Sequence, residues 1–460
     1  MKKLLTIILL VLAISGFSQK NYEANWESID SRPVPEWFGN AKFGIFIHWG
    51  VYSVPAWAPA NADIGVYAKY AEWYWYRIHD NGVAGQLFRA YHDKTYGANF
   101  KYQDFAADFK AEHFDPTQWA EVFKKSGAKY VVLTSKHHEG FTLWPSEQSW
   151  NWNSMDIGPH RDLCGDLSAA VKSAGLHMGF YYSLYEWFNP LYKSNPEKYV
   201  NDRMLPQMKD LVTRYEPDLL WTDGEWDMAS EKWKSTEFLS WLYNESAVKE
   251  TVCVNDRWGK ETRGVHGGFF TTEYGLVGEK EGIGESSKPW EECRGIGTSF
   301  GYNRIETPAN YSTSKELIEL LVKTVAAGGN LLLDIGPTAD GRIPALMQQR
   351  LLDMGEWLEV NGEAIYGTTK WKSVIKNEEN ASVFYTTKGE DLYVIATEWP
   401  DQYIKIEGIN NSGKVSLLGY SGKVKSVRKG HELRIQLPNL SPANNPDAVV
   451  WVFKIEGVLD

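Results

Sequence analysis

Cysteine is scarce in this sequence, since only Cys164, Cys253 and Cys293 occur in 460 residues. They are far apart and odd in number, which argues against a disulfide framework, and they lack the paired spacing of a zinc site. Positive charge is also in deficit, because the formal net charge is −11 at pH 7 and no stripe of Lys or Arg occurs. Binding to nucleic acid or to an anionic membrane is therefore not expected.

The hydrophobic run at the N-terminus is too short to span a membrane. Lys2 and Lys3 precede an apolar run at residues 4–14, and a small-residue segment follows at residues 15–18. This order predicts a secretory signal peptide at residues 1–18, cleaved to leave Gln19 first, with no membrane span afterwards. An uncut N-terminal anchor is the alternative. The predicted location is the periplasm or the medium, and the signal is equally compatible with both.

Aromatic residues, in contrast, are abundant. The chain has 21 Trp and 25 Tyr, and 16 of the Trp lie at or before Trp258. Aromatic faces stack on the C–H faces of sugars while their polar edges bind hydroxyl groups, so a cleft for carbohydrate is one explanation. A large core that uses Trp for packing is the other, and composition alone does not separate the two.

Short apolar segments alternate with amphipathic helices in a predicted catalytic domain of residues 19–366. In one unit Asp115 and Pro116 begin a helix, Trp119 marks its buried face, and Gly127 ends it. Six strands are predicted, at residues 43–47, 130–134, 178–182, 219–222, 251–254 and 331–335. This alternation predicts an α/β fold, a (β/α)8-like barrel with two strands irregular or missed. An open doubly wound sheet is the alternative, although its usual Gly-rich turn does not follow the first strand.

The pattern changes in the C-terminal part, where residues 371–460 show no convincing helix. Segments with alternating polarity are predicted as strands at residues 392–396, 415–418, 433–437 and 449–455. They predict a β-sandwich domain. Support of the barrel and accessory sugar binding are both open as its role, and the first is favoured.

Polar and aromatic side chains follow the predicted strands, where the active site of a barrel lies. Examples are His48, the His137-His138 pair, Tyr181, Asp223 and Arg257. Neighbouring residues on a strand point to opposite faces, so adjacent histidines seldom bind one ion, and no His-Glu-x-x-His motif occurs. No metal site is therefore expected. Asp223 follows an apolar strand among tryptophans, which favours a catalytic carboxylate over a helix cap or a loop salt bridge.

Six motifs in order make the chain recognisable. They are Lys-Phe-Gly-Ile-Phe-Ile-His-Trp-Gly at 42–50, Glu-Trp-Tyr at 72–74, Lys-His-His-Glu-Gly-Phe at 136–141, Arg-Asp-Leu at 161–163, Asp-Gly at 223–224 and Gly-Asn-Leu-Leu-Leu at 329–333. With these motifs the chain resembles glycoside hydrolase family 29, the α-L-fucosidases, along nearly its whole mature length. The resemblance implies a (β/α)8-like barrel followed by a β-sandwich. It also implies hydrolysis of terminal α-L-fucose from fucosylated glycans, with net retention and without a metal or cofactor.

The resemblance also implies roles for individual residues. Asp223 matches the catalytic nucleophile, and Phe300 is expected to pack against the methyl group of the sugar. The positions that match fucose contacts are His48, Glu72, His137, His138, Tyr181, Trp221 and Arg257.

A glycosidase needs a second carboxyl group as acid and base. In one branch of the family it is the Glu of a Thr-x-Glu-Tyr segment, here Glu273, and in others it is the Glu of a Trp-Glu segment, here Glu291. Residues 271–274 and 294–303 together resemble the first branch, which favours Glu273 and implies a broad substrate range. An α-L-galactosidase on the same site and a non-catalytic sugar-binding protein are the alternative functions.

Overall fold

The structure is a computed structural model that describes residues 20–274, 288–371, 383–400, 402–409, 411, 413–445 and 449–459. The predicted signal peptide at residues 1–18 lies outside these ranges. Within them, no helix combines the length and the apolar character needed to cross a bilayer. All three cysteines are buried free thiols.

Eight parallel strands form one sheet in the N-terminal part of the chain. They are β1 (Phe43–Ile47), β2 (Tyr130–Lys136), β3 (His177–Ser183), β4 (Leu219–Asp223), β5 (Cys253–Val254), β6 (Phe270–Glu273), β7 (Trp290–Gly295) and β8 (Asn330–Ile335). Their order is β5-β4-β3-β2-β1-β8-β7-β6. Backbone hydrogen bonds from Phe269 N to Val254 O and from Gly268 N to Asn255 O link the two edges. The sheet confirms the predicted (β/α)8-like barrel, and β6 and β7 are the two strands that the prediction lacked.

Helices of the α type accompany this sheet. They are α1 (Trp26–Asp30), α2 (Glu36–Ala41), α3 (Tyr74–His79), α4 (Val83–Thr95), α5 (Pro116–Lys125), α6 (Leu163–Ser173), α7 (Pro190–Ser194), α8 (Pro196–Tyr199), α9 (Leu205–Tyr215), α10 (Ser230–Trp233), α11 (Ser235–Asn244), α12 (Ser314–Ala326) and α13 (Ala345–Asn361). Their local signals are clear in α5, where the Asp115 side chain accepts from the amides of Thr117 and Gln118. Trp119 and Phe123 are the buried face of that helix.

The segment between β1 and β2 contains no strand in the described structure. It holds 3₁₀ turns at Val51–Ser53, Val66–Lys69, Ala71–Trp73 and Tyr102–Asp108, together with α3 and α4, and ends in α5, the helix that leads into β2. A βα loop of a barrel is usually short, whereas this one is a long excursion. It begins at the carboxyl end of β1, which places its residues beside the ends of the other strands.

A buried ion cluster ties the end of β2 to the segments that follow β3. Lys136 Nζ lies 3.1 Å from Glu186 Oε2, and Arg203 Nη2 lies 2.8 Å from Glu186 Oε1. Lys136 and Glu186 are at most 1% exposed. Burial alone raises the pKa of Glu186, but the two cations outweigh it and lower that pKa. The cluster fixes the chain next to the His137-His138 pair.

The C-terminal part confirms the predicted β-sandwich. Its strands are β9 (Thr369–Lys370), β10 (Val383–Lys388), β11 (Asp391–Ala396), β12 (Tyr403–Glu407), β13 (Val415–Leu417), β14 (Lys425–Lys429), β15 (Glu432–Gln436) and β16 (Trp451–Ile455). One antiparallel sheet has the order β13-β16-β11-β10-β9 and the other β12-β15-β14. Between them lies a separate apolar core that includes Val394, Ile404, Ile435 and Phe453. β9 pairs with this domain two residues before its predicted start at residue 371.

Candidate active site

A pocket of about 430 Å³ opens at the carboxyl ends of the barrel strands. Asp223 ends β4, Glu273 ends β6, and His48 directly follows β1. Parallel strands therefore bring residues from distant parts of the sequence to one rim. Ten of the predicted site residues line this pocket: His48, Glu72, His137, His138, Tyr181, Trp221, Asp223, Arg257, Glu273 and Phe300. Glu291 does not line it.

Both oxygens of the Asp223 carboxylate are held by donors. Arg257 Nη1 donates to Oδ1 at 2.8 Å, and the Tyr181 hydroxyl donates to Oδ2 at 2.9 Å. Arg263 Nη2 lies 3.6 Å from Oδ1. Burial alone raises the pKa of Asp223, but the positive charges of Arg257 and Arg263 outweigh it and hold that pKa well below its ordinary range. Asp223 is thus an ionised carboxylate in a fixed orientation.

Glu273 shares Arg257 with Asp223. The same Nη1 that contacts Asp223 lies 3.4 Å from Glu273 Oε2, and Nη2 lies 3.3 Å from that oxygen. The Tyr70 hydroxyl donates to the other oxygen at 3.4 Å. The Glu273 side chain is 21% exposed, against 12% for Asp223 and 1% for Arg257. Glu273 is therefore the more accessible of the two carboxylates.

Thr271 and Trp221 also hold the Arg257 side chain in place. Its Nε donates to Thr271 Oγ1 at 3.0 Å, and its guanidinium carbon lies 4.3 Å from the centre of the Trp221 ring. A buried guanidinium needs both charge partners and hydrogen-bond acceptors. Here it has both, so the distance between Asp223 and Glu273 is set by a rigid cation.

Glu291 lies deeper in the barrel than the pocket. In the β6–β7 ladder Thr271 pairs with Glu291 and Glu273 pairs with Cys293, so Glu291 is two residues further from the open end. It accepts from Trp221 Nε1 at 2.9 Å and from the Tyr130 hydroxyl, and it is fully buried. Burial raises the pKa of Glu291 to about 7.

His138 has a defined tautomer. Its Nδ1 lies 2.6 Å from Ser183 Oγ, and Ser183 Oγ donates its single hydrogen to the carbonyl of Tyr185. Ser183 must therefore accept from His138, which places the proton on Nδ1. Burial and the neighbouring His137 hold the pKa of His138 well below its ordinary value. Its Nε2, 3.8 Å from Asp223 Oδ2, is then a free acceptor toward the pocket.

His48 joins the polar and the apolar parts of the pocket. Its Nδ1 lies 2.6 Å from Asp334 Oδ1, at the end of β8. Its ring stacks on Phe300 with centroids 4.9 Å apart and 20° between planes. Burial lowers the pKa of His48, so a neutral imidazole faces the pocket. A hydroxyl group and an apolar group of one ligand are both accommodated by this arrangement.

Glu72 and His137 line the same side of the pocket. Glu72 Oε2 accepts from Ser299 Oγ at 3.1 Å and from Gly301 N at 2.8 Å, whereas its buried Oε1 has no hydrogen-bond partner. The His137 ring lies parallel to Tyr181, with centroids 5.6 Å apart. An unpartnered buried polar atom is costly, so Glu72 Oε1 is suited to accept from a ligand hydroxyl. In the described parts of the chain, no group of three His, Cys, Asp or Glu side chains is placed to hold a metal ion.

Two family models match the chain. The model described as Alpha-L-fucosidase matches residues 9–363, and the model described as Alpha-L-fucosidase C-terminal domain matches residues 376–456. The chain belongs to the α-L-fucosidase family. The resemblance to glycoside hydrolase family 29 that the sequence motifs indicated is thereby confirmed.

This family member is similar to proteins named as α-L-fucosidases over nearly its whole length. An α-L-fucosidase of Dictyostelium discoideum is 44% identical over 482 residues, with 99% of this chain and 100% of the relative covered. The human tissue α-L-fucosidase is 44% identical over 454 residues, with 95% and 92% covered. The structure of Thermotoga maritima α-fucosidase in complex with fucose is 39% identical, has a TM-score of 0.78, and is matched over 94% of this chain and 100% of that chain.

Several residues that line the pocket of this α-L-fucosidase family member were not among the predicted site residues. They are Phe46, Tyr67, Tyr70, Trp73, Arg77, Trp226, Arg263 and Cys293. Four of them come from the excursion between β1 and β2, which a rule based on strand ends does not reach. The Glu-Trp-Tyr motif at 72–74 was the available signal, because Trp73 lies within it.

Proposed function

We propose that this chain hydrolyses terminal α-L-fucosyl linkages of glycans with net retention, with Asp223 as nucleophile and Glu273 as acid and base. One observation carries the proposal, namely that Asp223 and Glu273 contact the same Arg257 nitrogen at 2.8 and 3.4 Å. Asp223 Oδ1 and Glu273 Oε2 can therefore lie no further apart than the sum of these two distances. This limit is compatible with the ~5–5.5 Å carboxyl separation of retaining glycosidases.

The proposed cycle has two steps. Asp223 attacks the anomeric carbon, the glycosidic bond breaks, and Glu273 gives its proton to the departing oxygen. Water then attacks the fucosyl ester, Glu273 takes a proton from that water, and Asp223 leaves as a carboxylate. Arg257 and Tyr181 hold the attacking carboxylate in place, and the low pKa of Asp223 keeps it ionised as a nucleophile must be.

Recognition of the sugar is assigned to the walls of the pocket. Glu72 Oε1 and His138 Nε2 are acceptors for hydroxyl groups, and Phe300 packs on the methyl group of fucose. Galactose adds one hydroxyl at that methyl, and an apolar wall rejects an added hydroxyl by only about a hundredfold. α-L-Galactosides are therefore expected as slow substrates. A purely sugar-binding role is disfavoured because Asp223 and Glu273 are both present with shared charge compensation.

We also propose export through the signal at residues 1–18. The support is the charged start at Lys2 and Lys3 followed by the apolar run at residues 4–14. N-terminal sequencing of the protein recovered from the periplasm or the medium tests this, with Gln19 expected first. Recovery of an intact Met1 in the membrane fraction would contradict it.

Hydrolysis of p-nitrophenyl α-L-fucoside by the wild type and three variants tests the catalytic assignment. Asp223→Ala is expected to lose at least about a thousandfold in kcat, because a covalent nucleophile acts as part of a unit. Glu273→Ala is expected to lose less with this good leaving group than with a fucosylated disaccharide, and added azide is expected to restore its turnover. Glu291→Ala is the comparison for the second candidate.

Each outcome separates the roles. Azide rescue of Glu273→Ala alone supports the assignment, and an α-configured fucosyl azide from that variant, with α-L-fucose as the first product of the wild type, identifies retention. Rescue of Glu291→Ala instead would move the acid and base to that residue. Wild-type activity on the galactoside in preference to the fucoside would favour an α-L-galactosidase, and no turnover of either would favour the sugar-binding alternative.

A further inference from the structure

Exposed aromatic side chains concentrate at the mouth of the pocket. Among the described residues, the exposed Trp, Tyr and Phe side chains are Tyr67 at 56%, Tyr76 at 37%, Trp150 at 83% and Trp226 at 38%. Tyr67 and Trp226 line the pocket itself. Tyr76 lies beside them, 5.2 Å from Trp73, which also lines the pocket. Exposed large apolar surface gathered at one place marks a binding site.

These rings are held in place by Arg77 and Trp73. The Arg77 guanidinium lies 5.7 Å from the Trp73 ring centre and 5.4 Å from that of Tyr76, and it donates to the Tyr67 carbonyl at 2.8 Å. Trp226 lies 6.0 Å from Trp73. Rings packed edge to face or tilted around one cation form a preorganised surface, so a ligand that binds there loses little conformational entropy.

The mouth is where a leaving group must lie. Under the proposed function, fucose fills the pocket with its anomeric carbon at Asp223, and Glu273 protonates the departing oxygen. Glu273 is the more exposed of the two carboxylates, and it accepts from Tyr70, whose ring lies 5.7 Å from Tyr67. The group attached to the anomeric carbon therefore leaves past Glu273 and over these rings.

We propose that Tyr67, Tyr76 and Trp226 form a subsite for the pyranose ring to which fucose is attached. The rings pack on its C–H face. This inference rests on the proposed function and deepens it, because it names what the leaving-group side recognises. Stacking recognises the flat apolar face of a sugar ring and does not depend on any one hydroxyl group. This subsite therefore accepts several linkages and several sugars.

Two substrates with the same fucosyl group and different leaving groups test the subsite. α-L-Fucosyl fluoride carries no sugar in the leaving position, whereas an α-L-fucosyl-galactose disaccharide does. The measured quantity is the ratio of kcat/KM for the disaccharide to kcat/KM for the fluoride. Trp226→Ala and Tyr67→Ala are each expected to lower this ratio about tenfold, which is ~1.4 kcal/mol. Trp150→Ala, the same change at an exposed Trp outside the pocket, is the matched control and is expected to leave the ratio as in the wild type.

The outcomes distinguish the subsite from the activity itself. Ratios within about twofold of wild type in both Trp226→Ala and Tyr67→Ala, a change below ~0.5 kcal/mol, would overturn the subsite while leaving fucosidase activity intact. An equal fall in Trp150→Ala would also overturn it. A wild type that cleaves neither substrate would overturn the proposed function first. Should Trp226→Ala fold poorly, Trp226→Phe, which keeps a ring for stacking, replaces it and is expected to lower the ratio less than Tyr67→Ala does.

Discussion

Replacing Glu291 with Gln separates a structural carboxyl group from a catalytic one. Gln keeps the shape of the side chain and an acceptor oxygen for Trp221 Nε1, and its amide can donate to the Tyr130 hydroxyl. Only the titratable group is lost. Because Glu291 lies below the pocket, we expect Glu291→Gln to hydrolyse the fucosyl disaccharide within a few-fold of wild type.

The effect on stability has a size and a sign that follow from the pKa of Glu291. Burial raises this pKa from 4.5 in the unfolded chain to about 7 in the fold. Between these pH values the folded state binds the proton more tightly than the unfolded chain does. The contribution of Glu291 to the free energy of unfolding is therefore full below pH ~4.5 and is lost as pH rises through ~7. The loss is about 3 kcal/mol. The free energy of unfolding of Glu291→Gln, relative to wild type, should therefore rise by that amount from pH ~4.5 to pH ~8.

Urea denaturation followed by tryptophan fluorescence at both pH values measures this difference. Glu359→Gln, at an exposed position of α13, is the matched control for removal of one glutamate. If the difference in free energy of unfolding between wild type and Glu291→Gln does not change with pH, the assigned effect of burial on Glu291 is refuted. A loss of more than about a hundredfold in disaccharide hydrolysis by Glu291→Gln, the scale of general acid–base catalysis, would refute the structural role.

Three further predictions concern one contact in the pocket, the buried ion cluster and the cap of α5. Tyr181→Phe removes the hydroxyl that donates to Asp223 at 2.9 Å, and kcat/KM for the aryl fucoside should fall about tenfold to a hundredfold because bonds to charged groups are worth ~1.5–3 kcal/mol; unchanged kinetics would contradict this. Lys136→Met leaves Glu186 short of one buried partner and should lower the free energy of unfolding by ~3–5 kcal/mol in urea, whereas a neutral effect would mean that Arg203 alone suffices. Asp115→Ala removes the cap of α5 and should cost ~1 kcal/mol in the same assay with wild-type kinetics.

The strands of the barrel were predictable where they are apolar on both faces. β1 matches its predicted bounds, and the other predicted strands differ from the observed ones by at most two residues at either end. β6 and β7 were not predicted because Phe270–Glu273 and Trp290–Gly295 carry charged and hydroxyl side chains into the barrel. In addition, no helical pattern separates the two strands in the sequence. In the sandwich, β9, β10, β12 and β14 were not predicted. In β12 and β14 the Lys and Glu of Tyr403–Glu407 and the charges of Lys425–Lys429 mask the alternation.

The residues of the pocket were predictable because a parallel barrel places every strand end on one rim. The two candidate acids were harder to separate, since both lie within neighbouring strands of the same sheet and each has an aromatic neighbour in the sequence. What separates them is ladder register, which places Glu291 beside Thr271 and Glu273 beside Cys293. Register depends on pairing between strands and is not contained in either segment alone.

The sharing of Arg257 has a consequence for the course of the proposed reaction. At the start Asp223 is the carboxylate and Glu273 carries the proton; once the fucosyl ester has formed, Asp223 is neutral and Glu273 is the carboxylate. One unit of negative charge has then changed its residue without changing its ion-pair partner, because the guanidinium contacts both ends. The site keeps a constant total charge from resting enzyme through intermediate to product, and no side chain has to swing to neutralise it.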